Sequence, residues 1–157
     1  MNKRTLLIYV VTVALALCLV LVSLLFTGPT QGERMAMDAL ECLGKPYVLG
    51  QRGPETYDCS GLVITCAARE GIPGLPHSAA ELYGLGRPVA LPALLPGDMV
   101  CFDTVQDGDA CDHVGFYLGG NRFVHASSAK DAVVVTALTD YYLEHYSGAR
   151  RLACAYL

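Results

Sequence analysis

The chain begins with the longest apolar run in its sequence. Lys3 and Arg4 precede an uncharged stretch over residues 5–26, and a Gly-Pro pair closes it. A helix of about 20 apolar residues is long enough to cross roughly 30 Å of hydrocarbon, whereas the apolar core of a cleaved signal peptide is shorter. The pattern therefore predicts an uncleaved transmembrane anchor within residues 1–27.

The two basic residues set the expected orientation of this anchor. The positive-inside rule retains Lys and Arg in the cytoplasm and places everything after Phe26 outside. The chain is thus predicted to be a single-pass protein of the cell membrane with an extracytoplasmic domain. Cleavage near Thr30 would instead release that domain as a secreted protein, and the sequence leaves this alternative open.

The pattern after the anchor is first helical and then strand-like. Helices are predicted over residues 33–43, 60–70 and 78–83, and a glycine directly follows each of them,. Short segments rich in β-branched or aromatic residues predict strands over residues 99–103, 113–118, 122–126, 133–137 and 151–156. Helices that precede a run of antiparallel strands indicate an α+β fold.

Length and charge limit what this part of the chain can be. Residues 28–32 are predicted to be a linker, and the roughly 125 residues over 33–157 are enough for one hydrophobic core but not for two. Lys3 and Arg4 contribute +2 to the formal net charge of −4, so the remainder carries −6. No basic stripe is present, which excludes a nucleic-acid-binding surface.

One cysteine falls at the predicted start of a helix. Cys59 follows Asp58, a residue type favoured as N-cap, and precedes the helical run over 60–70,. Backbone N–H groups at a helix start carry partial positive charge, which favours the nucleophilic thiolate over the thiol. A lone cysteine is more often a small buried hydrophobic residue, so a catalytic role for Cys59 needs partners elsewhere in the chain.

Two histidines supply such partners. A Gly-Gly-Asn turn at 119–121 joins two predicted strands into a hairpin, with His113 at the start of the first strand and His125 near the end of the second,. Antiparallel pairing would bring the two side by side. A nucleophile, a neighbouring base and a polar group that orients the base form a triad. The assignment is Cys59 as nucleophile, His113 as base and His125 as orienting residue.

The motifs around these residues resemble the NlpC family of bacterial cell-wall cysteine peptidases. They are Asp-Cys-Ser-Gly at 58–61, His-Val-Gly-Phe-Tyr-Leu-Gly at 113–119 and Val-His-Ala-Ser at 124–127, with Pro-Tyr-Val at 46–48, Leu-Pro-Gly-Asp at 95–98 and Gly-Ala-Arg-Arg at 148–151. All occur in family order. The resemblance spans residues 33–157 and implies a papain-like α+β domain, with N-terminal helices packed on an antiparallel sheet of about five strands.

The resemblance also implies a function. Family members cleave peptidoglycan stem peptides, here expected after γ-D-glutamate through an acyl-enzyme on Cys59, with no cofactor and no metal. Tyr47 resembles the family tyrosine whose hydroxyl faces the nucleophile, and Asp58 and Ser60 correspond to residues that help to hold substrate. His77 stands where many members have an arginine, so substrate preference is not carried over from that segment.

Other functions fit the same residues. An amidase or acyltransferase would use the same Cys-His pair on another bond or acceptor, and a non-catalytic wall-binding protein would leave Cys59 unreactive. The set Cys59, Cys111, His113 and His125 also has the ligand types of a zinc site, although no Cys-x-x-Cys pair accompanies it,.

The remaining cysteines do not predict a disulfide framework. Six of the seven cysteines lie outside the anchor, and five remain once Cys59 is kept free for catalysis, which is an odd number,. Cys66, Cys101 and Cys154 are predicted to be core residues. Cys111 is predicted to be a loop residue, with a redox partner of Cys59 as the alternative.

Overall fold

Five helices lie along the chain in a computed structural model that describes residues 2–25, 28–106 and 110–153. They are α1 (Lys3–Leu25), α2 (Gln31–Leu40), α3 (Cys59–Arg69), α4 (Ala79–Tyr83) and α5 (Tyr141–Glu144), with a 3-10 turn at Leu91–Ala93. The helices predicted after Asp58 and after Ser78 are confirmed, whereas α5 was not predicted. The segment Lys3–Ser23 of α1 is long and apolar enough to cross a membrane, as a membrane anchor or a signal sequence would be.

Capping explains why α2 begins two residues before its predicted start. The Thr30 hydroxyl accepts a hydrogen bond from the N–H of Glu33 at 3.2 Å, and the Glu33 carboxylate accepts one from the N–H of Thr30 at 2.7 Å. This reciprocal capping box satisfies N–H groups that a helix start leaves unpaired. The helix ends at Leu40 rather than at residue 43, and hydrogen-bonded turns carry the chain on to Gly44.

Six antiparallel strands form one sheet in the described part of the chain, one strand more than predicted. They are β1 (Arg87–Val89), β2 (Met99–Phe102), β3 (His113–Gly119), β4 (Arg122–Ser127), β5 (Ala132–Ala137) and β6 (Tyr146–Arg151). Their order across the sheet is β1-β6-β2-β3-β4-β5, and every pairing is antiparallel. The α+β fold is confirmed.

The two strands that the prediction missed or misplaced lie at one edge of this sheet. β1 comes from the proline-rich segment, and an edge strand tolerates Pro88 because its outer side needs no ladder N–H,. β6 ends at Arg151, where the predicted strand over 151–156 was to begin, and residues 154–156 lie outside the described part. The Arg151 guanidinium donates hydrogen bonds of 2.6 and 2.7 Å to the buried Asp98 carboxylate. This ion pair fixes the end of β6.

The sheet separates two hydrophobic clusters. Successive residues of β2 alternate between them: Met99 and Cys101 belong to the cluster under α2 and α3, and Val100 and Phe102 belong to an aromatic cluster on the other face,. The first cluster holds Cys59 at the start of α3. The helix layer thus holds Cys59 against the start of β3, an inner strand of the sheet.

Candidate active site

The Asp58 carboxylate fixes the start of α3. Its Oδ1 accepts a hydrogen bond from the N–H of Gly61 at 2.6 Å, and its Oδ2 accepts one from the N–H of Gly50 at 2.7 Å. Gly61 lies tight against the preceding loop, because a Cβ there would come within 2.1 Å of the Gln51 carbonyl oxygen. The predicted N-cap is confirmed, and Cys59 is the first residue of the helix.

The Cys59 thiol is buried against the start of β3. Its sulfur lies 3.9 Å from the carbonyl oxygen of Asp112. Burial raises the pKa of Cys59 to about 11, although hydrogen bonds from the N–H groups of Val114 and Ser60 oppose this rise,. The thiolate expected from the helix start is therefore not the resting form. A nucleophilic role for Cys59 would therefore require a base that takes its proton.

The two hairpin histidines lie in direct contact, as predicted. Nε2 of His113 is 2.6 Å from Nδ1 of His125. This contact leaves Nδ1 of His113 as the nitrogen that can accept a proton from the thiol. His113 directly follows Asp112, whose carbonyl oxygen contacts the Cys59 sulfur, so the candidate base and nucleophile lie at the same point of the sheet.

Aromatic side chains surround His125. Its ring packs against Phe123, with ring centroids 4.6 Å apart, and edge-on against Tyr142 at 5.7 Å. Gly115 leaves room for it, because a Cβ there would come within 2.9 Å of the His125 Cβ. Burial lowers the pKa of His113 to about 4 and that of His125 to about 3,. Both rings are therefore neutral at pH 7, and each carries one N–H proton.

Thr136 makes a further polar contact to His125. Its hydroxyl oxygen is 2.9 Å from Nε2 of His125. Threonine is common in β-strands, so nothing in the sequence distinguishes Thr136 from an ordinary strand residue. The β4–β5 register pairs it with Phe123, two residues before His125, and so places it on the same face of the sheet,.

The three predicted substrate-binding residues are Tyr47, Asp58 and Ser60, of which the last two flank Cys59 in the sequence. Burial raises the pKa of Tyr47, and electrostatic interactions with Cys59 and Asp58 raise it further, so its phenol keeps its proton at pH 7. The Ser60 hydroxyl donates a hydrogen bond of 3.1 Å to Asp58 Oδ1. Asp58 and Ser60 are thus hydrogen-bonded to each other in the folded protein. Contact of all three residues with substrate stays a prediction.

His77 also contacts Asp58, a placement that the sequence did not indicate. Its Nε2 lies 3.0 Å from Asp58 Oδ1. When protonated, His77 forms an ion pair with this buried carboxylate. The segment before α4 is thereby tied to the cap of the helix that carries Cys59.

A cavity of about 280 Å³ opens beside the imidazole pair. It is lined by Thr104, His113, His125, Ser127, Ser128, Ala129, Tyr141 and Tyr142. Hydroxyl groups and aromatic rings together suit a ligand with both polar and apolar parts. A group bound there would lie next to the candidate base.

The other cysteines of the described part outside α1 are all buried. They are Cys42, Cys66, Cys101 and Cys111. The core positions predicted for Cys66 and Cys101 are confirmed, whereas Cys154 lies outside the described residues. The Cys111 thiol lies in the loop before β3 and donates a hydrogen bond of 3.4 Å to the carbonyl oxygen of His113. Within 2–25, 28–106 and 110–153, no three His, Cys, Asp or Glu side chains are grouped as metal ligands.

Comparison with known families identifies the domain. The profile of the NlpC/P60 family matches residues 44–151, more than half of the chain. The matched range holds every element from α3 to β6, with Cys59 and both histidines. The chain belongs to the NlpC/P60 family. The resemblance seen in the sequence motifs is thus confirmed.

Two bacterial relatives illustrate the variety within the NlpC/P60 family. The murein DD-endopeptidase MepH of Escherichia coli is 38% identical over 127 residues, which are 78% of this chain and 46% of that protein. The gamma-DL-glutamyl hydrolase of Bacillus subtilis is 34% identical over 119 residues, which are 74% of this chain and 28% of that protein. This chain spans less than half the length of either relative.

A solved NlpC/P60 structure agrees with the fold described above. NlpC1 from Trichomonas vaginalis superimposes with a TM-score of 0.69 at 34% sequence identity. The superposition covers 80% of this chain and 45% of the other. The antiparallel sheet and its helices are therefore the family architecture.

Proposed function

We propose that this NlpC/P60 protein is a cysteine endopeptidase that hydrolyses peptidoglycan stem peptides. The observation that carries the proposal is the Cys59 thiol at the start of α3, in contact with the carbonyl oxygen of Asp112, the residue directly before the strand that begins with His113 of the contacting histidine pair. The name of the Escherichia coli relative, a murein endopeptidase, supports the class of substrate. The chemistry proposed here requires no cofactor.

The first half of the reaction forms an acyl-enzyme on Cys59. Nδ1 of His113 takes the thiol proton while the sulfur attacks the scissile carbonyl carbon, and the carbonyl electron pair moves onto oxygen. N–H groups at the start of α3 and the Tyr47 hydroxyl stabilise that oxyanion. As the carbonyl re-forms, the C–N bond breaks, and protonated His113 gives its proton to the leaving amine.

Water completes the second half. Neutral His113 takes a proton from water while the water oxygen bonds to the thioester carbonyl carbon, the C–S bond then breaks and releases the carboxylic acid, and His113 returns the proton to the Cys59 thiolate. The resting pair is thiol and neutral imidazole, because burial raises the pKa of Cys59 and lowers that of His113. His125 supports the positive charge that develops on His113 by accepting its Nε2–H.

We place the scissile bond after γ-D-glutamate. The Bacillus subtilis relative, named a gamma-DL-glutamyl hydrolase, supports this choice at 34% identity. A second candidate is the D,D bond that cross-links two stems. The Escherichia coli relative, named a murein DD-endopeptidase, favours it at 38% identity.

Two defined substrates separate these bonds. The full-length protein in detergent micelles is incubated with an uncross-linked tetrapeptide muropeptide and with a D,D-cross-linked dimer, and products are identified by mass spectrometry. We expect the uncross-linked stem to lose the dipeptide that follows γ-D-glutamate. Conversion of the dimer into two intact stems, with the uncross-linked muropeptide untouched, would replace our choice with the D,D bond. Cys59→Ala is the control for contaminating hydrolases.

We also propose that α1 anchors the enzyme in the cell membrane, with Lys3 and Arg4 in the cytoplasm and residues 33–157 outside. Its length and uncharged apolar composition support a membrane-spanning role,. Peptidoglycan lies on the outer side of that membrane, where this orientation puts the active site. Protease added to intact protoplasts should digest residues 33–157 while the protein stays in the membrane fraction. Protection of residues 33–157 from the protease would show the opposite orientation. Recovery of this domain outside the membrane fraction would show that the N-terminal segment is cleaved.

A further inference from the structure

We propose that Thr136 is a positioning residue of the active site: its hydroxyl accepts the Nε2 proton of His125 and holds that ring in the orientation and tautomer that His113 requires. The inference rests on the proposed function, because it takes His113 to be the general base. It adds a fourth group to the predicted triad, contributed by a strand that the triad does not include.

The contacts form one continuous line across three strands. His113 on β3 contacts His125 on β4 at 2.6 Å, and His125 contacts Thr136 on β5 at 2.9 Å. His113 uses one ring nitrogen, Nε2, for this line of contacts, and His125 uses both of its nitrogens, Nδ1 towards β3 and Nε2 towards β5. The β4–β5 register, which runs without a bulge from Arg122 to Ser127, fixes where Thr136 lies relative to His125.

The direction of the hydrogen bonds follows from the task of His113. To accept the thiol proton, Nδ1 of His113 must offer a lone pair, so its own proton is on Nε2 and is donated to Nδ1 of His125. A neutral imidazole carries one N–H, so the proton of His125 is then on Nε2. Thr136 Oγ1 is placed to accept that proton. A hydroxyl oxygen has the lone pairs for this contact, and a methyl group in its place does not.

The aromatic neighbours of His125 do not determine which way its ring is turned. Phe123 and Tyr142 hold the plane of the ring, yet they pack against it equally well if it turns by 180° and exchanges nitrogen for carbon. The Thr136 oxygen distinguishes the two orientations, because it bonds nitrogen and not carbon. Burial keeps His125 neutral at pH 7 and makes an unpaired N–H there unfavourable,.

A matched set of variants separates this role from strand packing. Thr136→Val removes the hydroxyl but keeps a β-branched side chain of similar size, and Thr136→Ser keeps the hydroxyl but removes the methyl group. Thr139→Val makes the same chemical change at an exposed position beyond the end of β5. If Thr136 only filled space in the strand, Val would be the mild substitution and Ser the harmful one.

The histidine tautomers are the first readout, and they need no substrate. In ¹⁵N spectra of the full-length protein in detergent micelles, native His125 should carry its proton on Nε2, and Thr136→Val should shift it towards the form protonated on Nδ1. Thr136→Ser and Thr139→Val should resemble the native protein. A native His125 protonated on Nδ1 would overturn the inference even if no variant folded. Because this readout does not depend on turnover, it distinguishes failure of the inference from failure of the proposed function.

Kinetics on the same variants are the second readout. Thr136→Val should lower kcat roughly tenfold with little change in KM, because the His125 N–H loses its acceptor in a buried site. Thr136→Ser should keep most of the native kcat, and Thr139→Val should keep all of it. A native kcat in Thr136→Val, or an equal loss in Thr136→Ser, would contradict the positioning role.

Discussion

The helix side and the sheet side of this active site are built in different ways. Local hydrogen bonds hold the helix side, since the Asp58 carboxylate bonds N–H groups only three and eight positions away along the chain. Long-range contacts hold the sheet side, where His113, His125 and Thr136 come from three strands. Local hydrogen bonds therefore place the candidate nucleophile, Cys59, and strand register places the candidate base, His113.

The two sides also contribute differently to reactivity. The helix start directs N–H groups at Cys59, yet burial dominates and raises the pKa of Cys59 to about 11. The same burial lowers the pKa of His113 to about 4. In the proposed mechanism, the helix side thus supplies a protonated thiol and the N–H groups for the oxyanion, and activation of the thiol depends on the sheet side. Damage to the sheet side should accordingly reduce activity more than damage to the cap of the helix.

Among substitutions on the sheet side and at the helix cap, removal of the His113 imidazole should reduce activity most. We expect His113→Ala to lower kcat/KM by about 10²–10⁴-fold, because Cys59 then has no neighbouring group to take its proton. Circular dichroism and substrate affinity should stay close to native. A loss of less than tenfold in muropeptide turnover would show that another group activates the thiol.

Substitution of the orienting residue should have an intermediate effect that depends on the replacement. His125→Asn should be milder than His125→Ala, because an amide oxygen still accepts a hydrogen bond from the Nε2–H of His113. We expect roughly a tenfold loss in kcat for the Asn variant and up to about a hundredfold loss for the Ala variant. Equal losses in stopped-time hydrolysis assays would argue against orientation by hydrogen bonding.

Activity should be lost at a lower pH than it would be if the base were a solvent-exposed histidine. Burial lowers the pKa of His113 from 6.5 to about 4, so the base stays neutral as the pH falls from 7 to 5 and gains a proton near pH 4. The pH profile of kcat/KM should be level above about pH 5 and should fall about tenfold per unit well below pH 4. A decline centred near pH 6.5 would contradict the burial of this imidazole.

Folding has to be followed over the same pH range. Unfolded histidines bind protons near pH 6.5, whereas His113 and His125 in the folded protein do so only near pH 4 and 3. Their contribution to the free energy of unfolding is therefore complete above pH 6.5 and declines as the pH falls towards 4 and 3. Circular dichroism at each pH shows whether a loss of activity precedes unfolding.

Loss of the helix cap should have the smallest effect on turnover. Asp58→Ala removes the acceptor for the N–H groups of Gly61 and Gly50, and the partner of His77, which should lower the free energy of unfolding by about 1–2 kcal/mol,. Urea denaturation followed by circular dichroism measures this loss. Turnover at a temperature where the variant is folded should fall less than tenfold. A loss as large as that of His113→Ala would instead give Asp58 a direct role with substrate.

The features that could be predicted from the sequence are those with local signals. Asp58 before a helical run indicated the cap and the place of Cys59, and a Gly-Gly-Asn turn indicated the hairpin that brings His113 and His125 together. Each signal involves residues within about one turn of helix or one tight turn of each other. The fold class and the triad candidates followed from them.

The features that could not be predicted depend on contacts between distant segments. Thr136 reaches His125 only through the β4–β5 register, and β1 forms only because β6 is available as its partner. The Cys59 thiolate was expected from the helix start, a local effect, and burial against β3 outweighs it. His77 and Asp58 are 19 positions apart in the sequence, and their contact likewise depends on how separate segments pack together.

Hydrolysis of a defined muropeptide by the native protein and by Cys59→Ala, followed side by side by mass spectrometry, tests most directly whether Cys59 is the nucleophile. Both full-length proteins are purified identically in detergent under reducing conditions, and circular dichroism confirms that both are folded. We expect the native protein to release stem-peptide fragments and the variant to be slower by at least roughly 10⁴-fold. Turnover by Cys59→Ala at a rate near that of the native protein would contradict the assignment of Cys59 and, with it, the proposed mechanism.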